Sequence, residues 1–172
     1  TDSRIFMELD QLYKKMGRAH AERLTFLEAH LELVAQRDDL CIERITLYNQ
    51  LGNYEKAREL IAARKFHPWE GGEGKVTGQY ILCRVELAKK AIKEKRYLEA
   101  ISLLKETDHY PHNLGEGKLI NAEENEVDYY KGIAYQKLGN EAESIKYLMK
   151  ATQGSSEPQQ AFYYNDQQPD KI

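Results

Sequence analysis

Only two cysteines occur in this 172-residue chain, Cys41 and Cys83, and both fall inside helical patterns. That is too few for a disulfide framework in a fold of this size, so both are expected as reduced thiols packed like small hydrophobes. Net charge is small, −3, with an isoelectric point near 6.0. No global field therefore draws in nucleic acid or an acidic membrane. No apolar run approaches the length of a membrane span, and no signal peptide is visible. There is one tryptophan and only four prolines. Sustained strand-like alternation is absent, which leaves an all-α chain. The hydrophobic fraction of 41% beside a charged fraction of 31% suits an extended helical array with much solvated surface. The chain opens at Thr1 without a methionine and stops at Ile172. It reads as a piece of a larger protein, for which a cytoplasmic setting is favoured.

What the sequence does have is a repeated phrase. Gly72-Glu73-Gly74-Lys75 recurs 43 residues later as Gly115-Glu116-Gly117-Lys118, each preceded at the same offset by a proline, Pro68 or Pro111. The helical pattern recurs with it. Leu51-Gly52-Asn53-Tyr54, Lys95-Arg96-Tyr97 and Leu138-Gly139-Asn140 are counterparts, pivoting at 52, 95 and 139. A fixed period of this size means stacked supersecondary units, each burying its apolar face on its neighbours.

Helices are expected over 3–16, 19–36, 39–51, 54–64, 75–94, 97–107, 122–138 and 141–152. Ser3 is the expected first N-cap, and Gly17 ends the first helix. Leu24, Leu27, Leu31 and Val34 share one face of the second. The expectation is one domain, 1–172, a right-handed α-solenoid of antiparallel hairpins at about 3–36, 39–64, 75–107 and 122–152. A tail over 153–172 leads into a further, truncated repeat begun near Pro169.

Gly132-Ile133-Ala134-Tyr135, Ala57-x₃-Ile61 followed by Pro68, and Ala100-x₃-Leu104 followed by Pro111 resemble the tetratricopeptide repeat. The small residues let two helix backbones approach, and the bulky ones fill the next groove. The period of 43–44 exceeds that repeat's 34, with the excess in the loops. The loops Arg37-Asp38-Asp39-Leu40, Phe66-His67-Pro68-Trp69-Glu70-Gly71-Gly72-Glu73-Gly74, Tyr110-Pro111-His112-Asn113-Leu114-Gly115-Glu116-Gly117-Lys118 and Tyr163-Tyr164-Asn165-Asp166-Gln167 are similar to the C-terminal repeat region of a bacterial family. That family joins an N-terminal β-rich domain of unknown function to such repeats and keeps company with carbohydrate-utilisation enzymes. The resemblance implies a non-catalytic interaction module whose partner is a protein or its own N-terminal domain.

The repeated loops have two readings. Structurally, the glycines allow a sharp approach to the next helix, and the glutamate caps its N-terminus. Functionally, the loops are a pair of quasi-equivalent sites. There Trp69 stacks on a sugar ring, and His67, Glu70, Glu73, Lys75, His112, Asn113, Glu116 and Lys118 supply polar contacts. On that alternative the chain binds carbohydrate, or its loop carboxylates complete a glycan-active site on a missing domain. A Walker loop is excluded, because its spacing is not met and no Ser or Thr follows the lysine. His67, His109 and His112 lack metal-ligand spacing. Neither a cofactor nor a catalytic residue is assigned.

Overall fold

The computed structural model describes residues 2–119, 122–153 and 160–163. Among them the helices are α1 (Ser3–Lys15), α2 (His20–Glu28), α3 (Leu31–Val34), α4 (Asp38–Gln50), α5 (Tyr54–Ala62), α6 (Lys75–Lys93), α7 (Tyr97–Lys105), α8 (Asn125–Leu138) and α9 (Glu141–Thr152). Single turns of 3₁₀ helix cover Glu106–Asp108 and His112–Leu114.

Each hairpin turns on the same device. Gly17, Gly52, Lys95 and Gly139 all adopt left-handed φ, between 62° and 84°. The following N–H bonds back five residues each time: Arg18 to Tyr13, Asn53 to Tyr48, Arg96 to Ala91 and Asn140 to Tyr135. The pivot's own N–H bonds back three. This pair of bonds satisfies the orphan carbonyls of the first helix and reverses the chain. Asn53 and Asn140 then cap the second helix, accepting from the Lys56 and Glu143 N–H groups. Lys95 is the one non-glycine residue with positive φ among the described residues.

The hairpins stack as a right-handed, tetratricopeptide-like α-solenoid. First helices touch first helices from the second hairpin onward, α4 against α6 and α6 against α8, while α2, the second helix of the first hairpin, packs on α4. Alanines at 57, 88, 91, 100 and 134 are fully buried at the crossings. At Gly132 an added Cβ would lie 2.6 Å from Leu148 Cγ, so α8 and α9 approach too closely for a side chain there. The main core runs from Ile42 to Tyr135, and a smaller cluster of Phe6, Leu27, Leu33, Val34, Leu40 and Leu47 closes the N-terminal end. Both cysteines are free thiols, Cys83 buried and Cys41 half-buried.

An ionic knot ties α1, α2 and α4 together. The Arg23 guanidinium, 2% exposed, donates to Asp10 at 3.1 and 2.6 Å and to Glu43 at 2.7 Å. Lys14 Nζ donates to both Glu43 oxygens. Burial pushes the Asp10 carboxyl up despite the Arg23 bonds.

The structure departs from the sequence reading in four places. The second helix is not continuous over 19–36 but breaks at Ala29–His30. His30 leaves helical geometry (φ −139°, ψ 50°) with its ring edge-on to Phe6 and Phe26. Leu27 and Val34 are buried while Leu31 is 42% exposed, so the four aliphatics do not share one face. Asp2, not Ser3, caps α1, its carboxylate accepting the Arg4 N–H at 2.7 Å. The chain also has a two-stranded antiparallel sheet. In it β1 (Glu116–Lys118) pairs with β2 (Gln160–Tyr163), Gly117 opposite Phe162. Three residues are too few to show alternation in a sequence. Finally, α8 starts at Asn125, later than 122. The further repeat expected near Pro169 lies outside the described residues.

Candidate functional site

The two loops that carry the repeated phrase are laid against each other, and they are not equivalent. The first leaves α5 through Arg64, whose Nε donates to Asp38 at 2.6 Å. The His67 N–H and ring Nδ1 meet the other Asp38 oxygen at 2.8 and 3.0 Å. Burial disfavours charge on Asp38, yet the bonds from His67 and Arg64 outweigh it and hold the carboxyl below its ordinary range. Phe66 turns inward, 1% exposed, and its N–H donates to the Asn113 carbonyl at 2.7 Å. Trp69 is half-buried against the core and lies over Gly72. A Cβ at position 72 would meet the indole at 2.3 Å, so only glycine fits under that ring.

The second loop serves the first. Asn113 Nδ2 donates to the Ile61 and Arg64 carbonyls at 2.9 and 2.8 Å, closing the C-terminal end of α5. Gly115 has φ +77°, and a Cβ there would sit 2.8 Å from the Phe66 carbonyl oxygen. The Glu116 carboxylate, 4% exposed, accepts the Gly74 N–H at 3.0 and 3.2 Å and the Thr77 hydroxyl at 2.9 Å. It therefore caps α6, whose N-cap Gly74 has left-handed geometry and no side chain of its own to do so. Burial pushes the Glu116 carboxyl up; the Thr77 and Gly74 bonds oppose this, and the charge of Glu73 adds to it. Lys118 Nζ donates to the Thr107 carbonyl at 2.8 Å and pairs with Glu124.

The sequence-named residues thus divide. Asn113, Glu116 and Lys118 bond the protein itself, as the structural reading expects of a capping glutamate, although Glu116 caps the helix of the other loop. Trp69 packs on the core. His67, Glu70, Glu73, Lys75 and His112 are exposed. Among the described residues no group of three or more His, Cys, Asp or Glu is arranged to hold a metal ion. Nor is any helix there long and apolar enough to cross a membrane.

A second surface answers to the apolar or charged groove that protein docking predicts along the first helices, though the sequence pointed to none of its residues. The first helices α4, α6 and α8 lie side by side, stitched by Asn49 Nδ2 to Gln79 Oε1 at 2.8 Å and by Lys89 Nζ to Glu126 at 2.8 Å. Leu82, Glu86 and Lys89 share one face of α6; Glu126, Tyr129 and Tyr130 share one of α8. Leu82 is 37% and Tyr129 47% exposed, and Lys89 Nζ stands 4.8 Å over the Tyr130 ring. The spacings of three and four were the available signal, but every surface helix shows such spacings.

No family model matches the chain. Among solved structures it is similar to a MamA mutant, with a TM-score of 0.53 and 19% identity over 90% of this chain and 78% of that one. It is also similar to MamA MSR-1 C2, with a TM-score of 0.52 and 20% identity over 89% and 76%. At this identity the likeness speaks to architecture, and it shows a tetratricopeptide-like helical array.

Proposed function

We propose that this chain is a non-catalytic protein-interaction module that docks a segment of a partner protein along the face of its first helices. The observation that carries this reading is the contiguous α6–α8 surface, where Leu82, Tyr129 and Tyr130 stand among Glu86, Lys89 and Glu126. Amphipathic tyrosines and an aliphatic set on either side of paired charges suit a protein contact: exposed apolar area gives affinity, and the charges steer the partner. A β-rich domain of the same polypeptide is one partner that fits the resemblance noted in the sequence. The glycan reading finds less support, since Glu116 and Asn113 are engaged by backbone groups and Trp69 is seated on Gly72.

The test is selection of displayed peptides against the wild-type chain, then affinity measurement against Leu82→Ala/Tyr129→Ala. Selected peptides are expected to bind the double variant at least about tenfold more weakly, the loss typical of one hot spot. Equal affinity for both chains would sink the assignment of this face. A saturable Trp69 fluorescence response to oligosaccharides, lost in Glu73→Ala, would replace it with the glycan reading.

A further inference from the structure

The break in the second helix leaves a cavity. Helix α3, set apart from α2 at His30, faces α4 and α5 across a space of about 220 Å³. Leu31, Val34, Cys41, Ile45 and Leu60 form apolar walls, with Ala35 and Ala63 beside them. An apolar cavity of roughly 150 Å³ holds a benzene molecule, so this one has room for a ring-sized group. Two guanidiniums, Arg44 and Arg64, complete the lining. Arg44 gives Nε to Glu28 at 2.6 Å. Arg64 gives Nε to Asp38 and Nη1 to the Ala35 carbonyl at 3.0 Å. Arg44 also bonds the Tyr48 hydroxyl. Among the described residues these bonds do not use all five N–H donors of either guanidinium, so each keeps N–H groups for another acceptor.

We propose that the cavity between α3, α4 and α5 is a binding site for a small amphiphilic carboxylate. Its ring-sized apolar body would sit among Leu31, Val34, Ile45 and Leu60, and its anionic head would meet the remaining guanidinium N–H groups of Arg44 and Arg64. The chemistry is that of most ligand sites: apolar walls give affinity, and a few convergent polar groups give orientation. The site lies apart from the Leu82–Tyr129 face, so the two assignments stand or fall separately.

The probe is phenylacetate, titrated into the isotope-labelled full chain and followed by the amide resonances of Ala35, Cys41 and Arg64. Saturable shifts are expected with Kd on the order of 1 mM, in keeping with about ten heavy atoms. The isosteric amide, phenylacetamide, should bind at least about fivefold more weakly, because it carries no charge for the arginines. Ala63→Leu, which fills the cavity from an exposed position, should weaken phenylacetate at least about tenfold without lowering Tm. Ala35→Leu repeats the test from the opposite wall. Absence of saturation, equal binding of acid and amide, or full binding to both filled variants would each overturn the proposal.

Discussion

Glu116→Ala should destabilise the chain although residue 116 lies far from α6 in sequence. The buried carboxylate takes the Gly74 N–H and the Thr77 hydroxyl. A hydrogen bond to a charged group contributes about 1.5–3 kcal/mol, so two at the lower figure give a loss of about 3 kcal/mol. For a chain of this size each kcal/mol moves Tm by roughly 2–4 °C, so a fall of about 6–12 °C is expected by circular dichroism. Glu116→Gln keeps one acceptor oxygen and should lose about half as much. The pH arm has a definite sign. Burial raises the folded pKa of Glu116 above that of the unfolded chain. The proton-linked part of its contribution is therefore fully present below the unfolded value and is lost as pH rises through the folded one, while the Gly74 and Thr77 bonds to the carboxylate remain. The stability difference between wild type and Glu116→Gln should shift against the wild type across that window, and less so in a Glu73→Gln background. A Glu116→Ala Tm within about 1 °C of wild type would refute the capping argument.

Arg23→Met should cost about 3–5 kcal/mol in chemical denaturation, because Asp10 is left as a buried, unpaired carboxylate and Glu43 keeps only Lys14. An effect below about 1 kcal/mol would mean that water reaches the knot. Lys95→Gly should stabilise by about 0.5 kcal/mol, since the left-handed penalty of ~1–2 kcal/mol slightly exceeds the entropic cost of glycine. A higher urea midpoint at unchanged m is the readout. Asp38→Asn should speed hydrogen exchange at the His67 amide. It should also remove a pH dependence of known sign. The folded pKa of Asp38 is depressed, so its stabilisation is complete above the unfolded value and fades as pH falls through the folded one. Unchanged exchange at His67 would show that the loop is held by Phe66 alone.

The repeat was legible where one local rule acts alone. Gly52 and Gly139 announced their turns, and Lys95 was placed by period although its residue type argues against left-handed backbone. The break at Ala29–His30 was hidden, because neither glycine nor proline marks it and Leu24, Leu27, Leu31 and Val34 keep helical spacing. The edge contact of His30 with Phe6 accompanies it, and this one bridges residues distant in sequence. The two Gly-Glu-Gly-Lys phrases read alike but fold apart, since the second pairs with residues 160–163. Which residue a glutamate caps depends on which loops meet in space.

The ends of the first loop are secured from downstream. The C-terminal carbonyls of α5 wait for Asn113, and the first N–H groups of α6 wait for Glu116, which stands 42 residues beyond Gly74. A ribosome adding about 5–20 residues per second leaves that helix start bare for roughly 2–8 s. Neighbouring units are thereby coupled through loops as well as through packed helices. An array cut after the second hairpin forfeits the caps of α5 together with its packing partner, so shortening it should cost more than one interface and sharpen the cooperativity of unfolding in the intact chain.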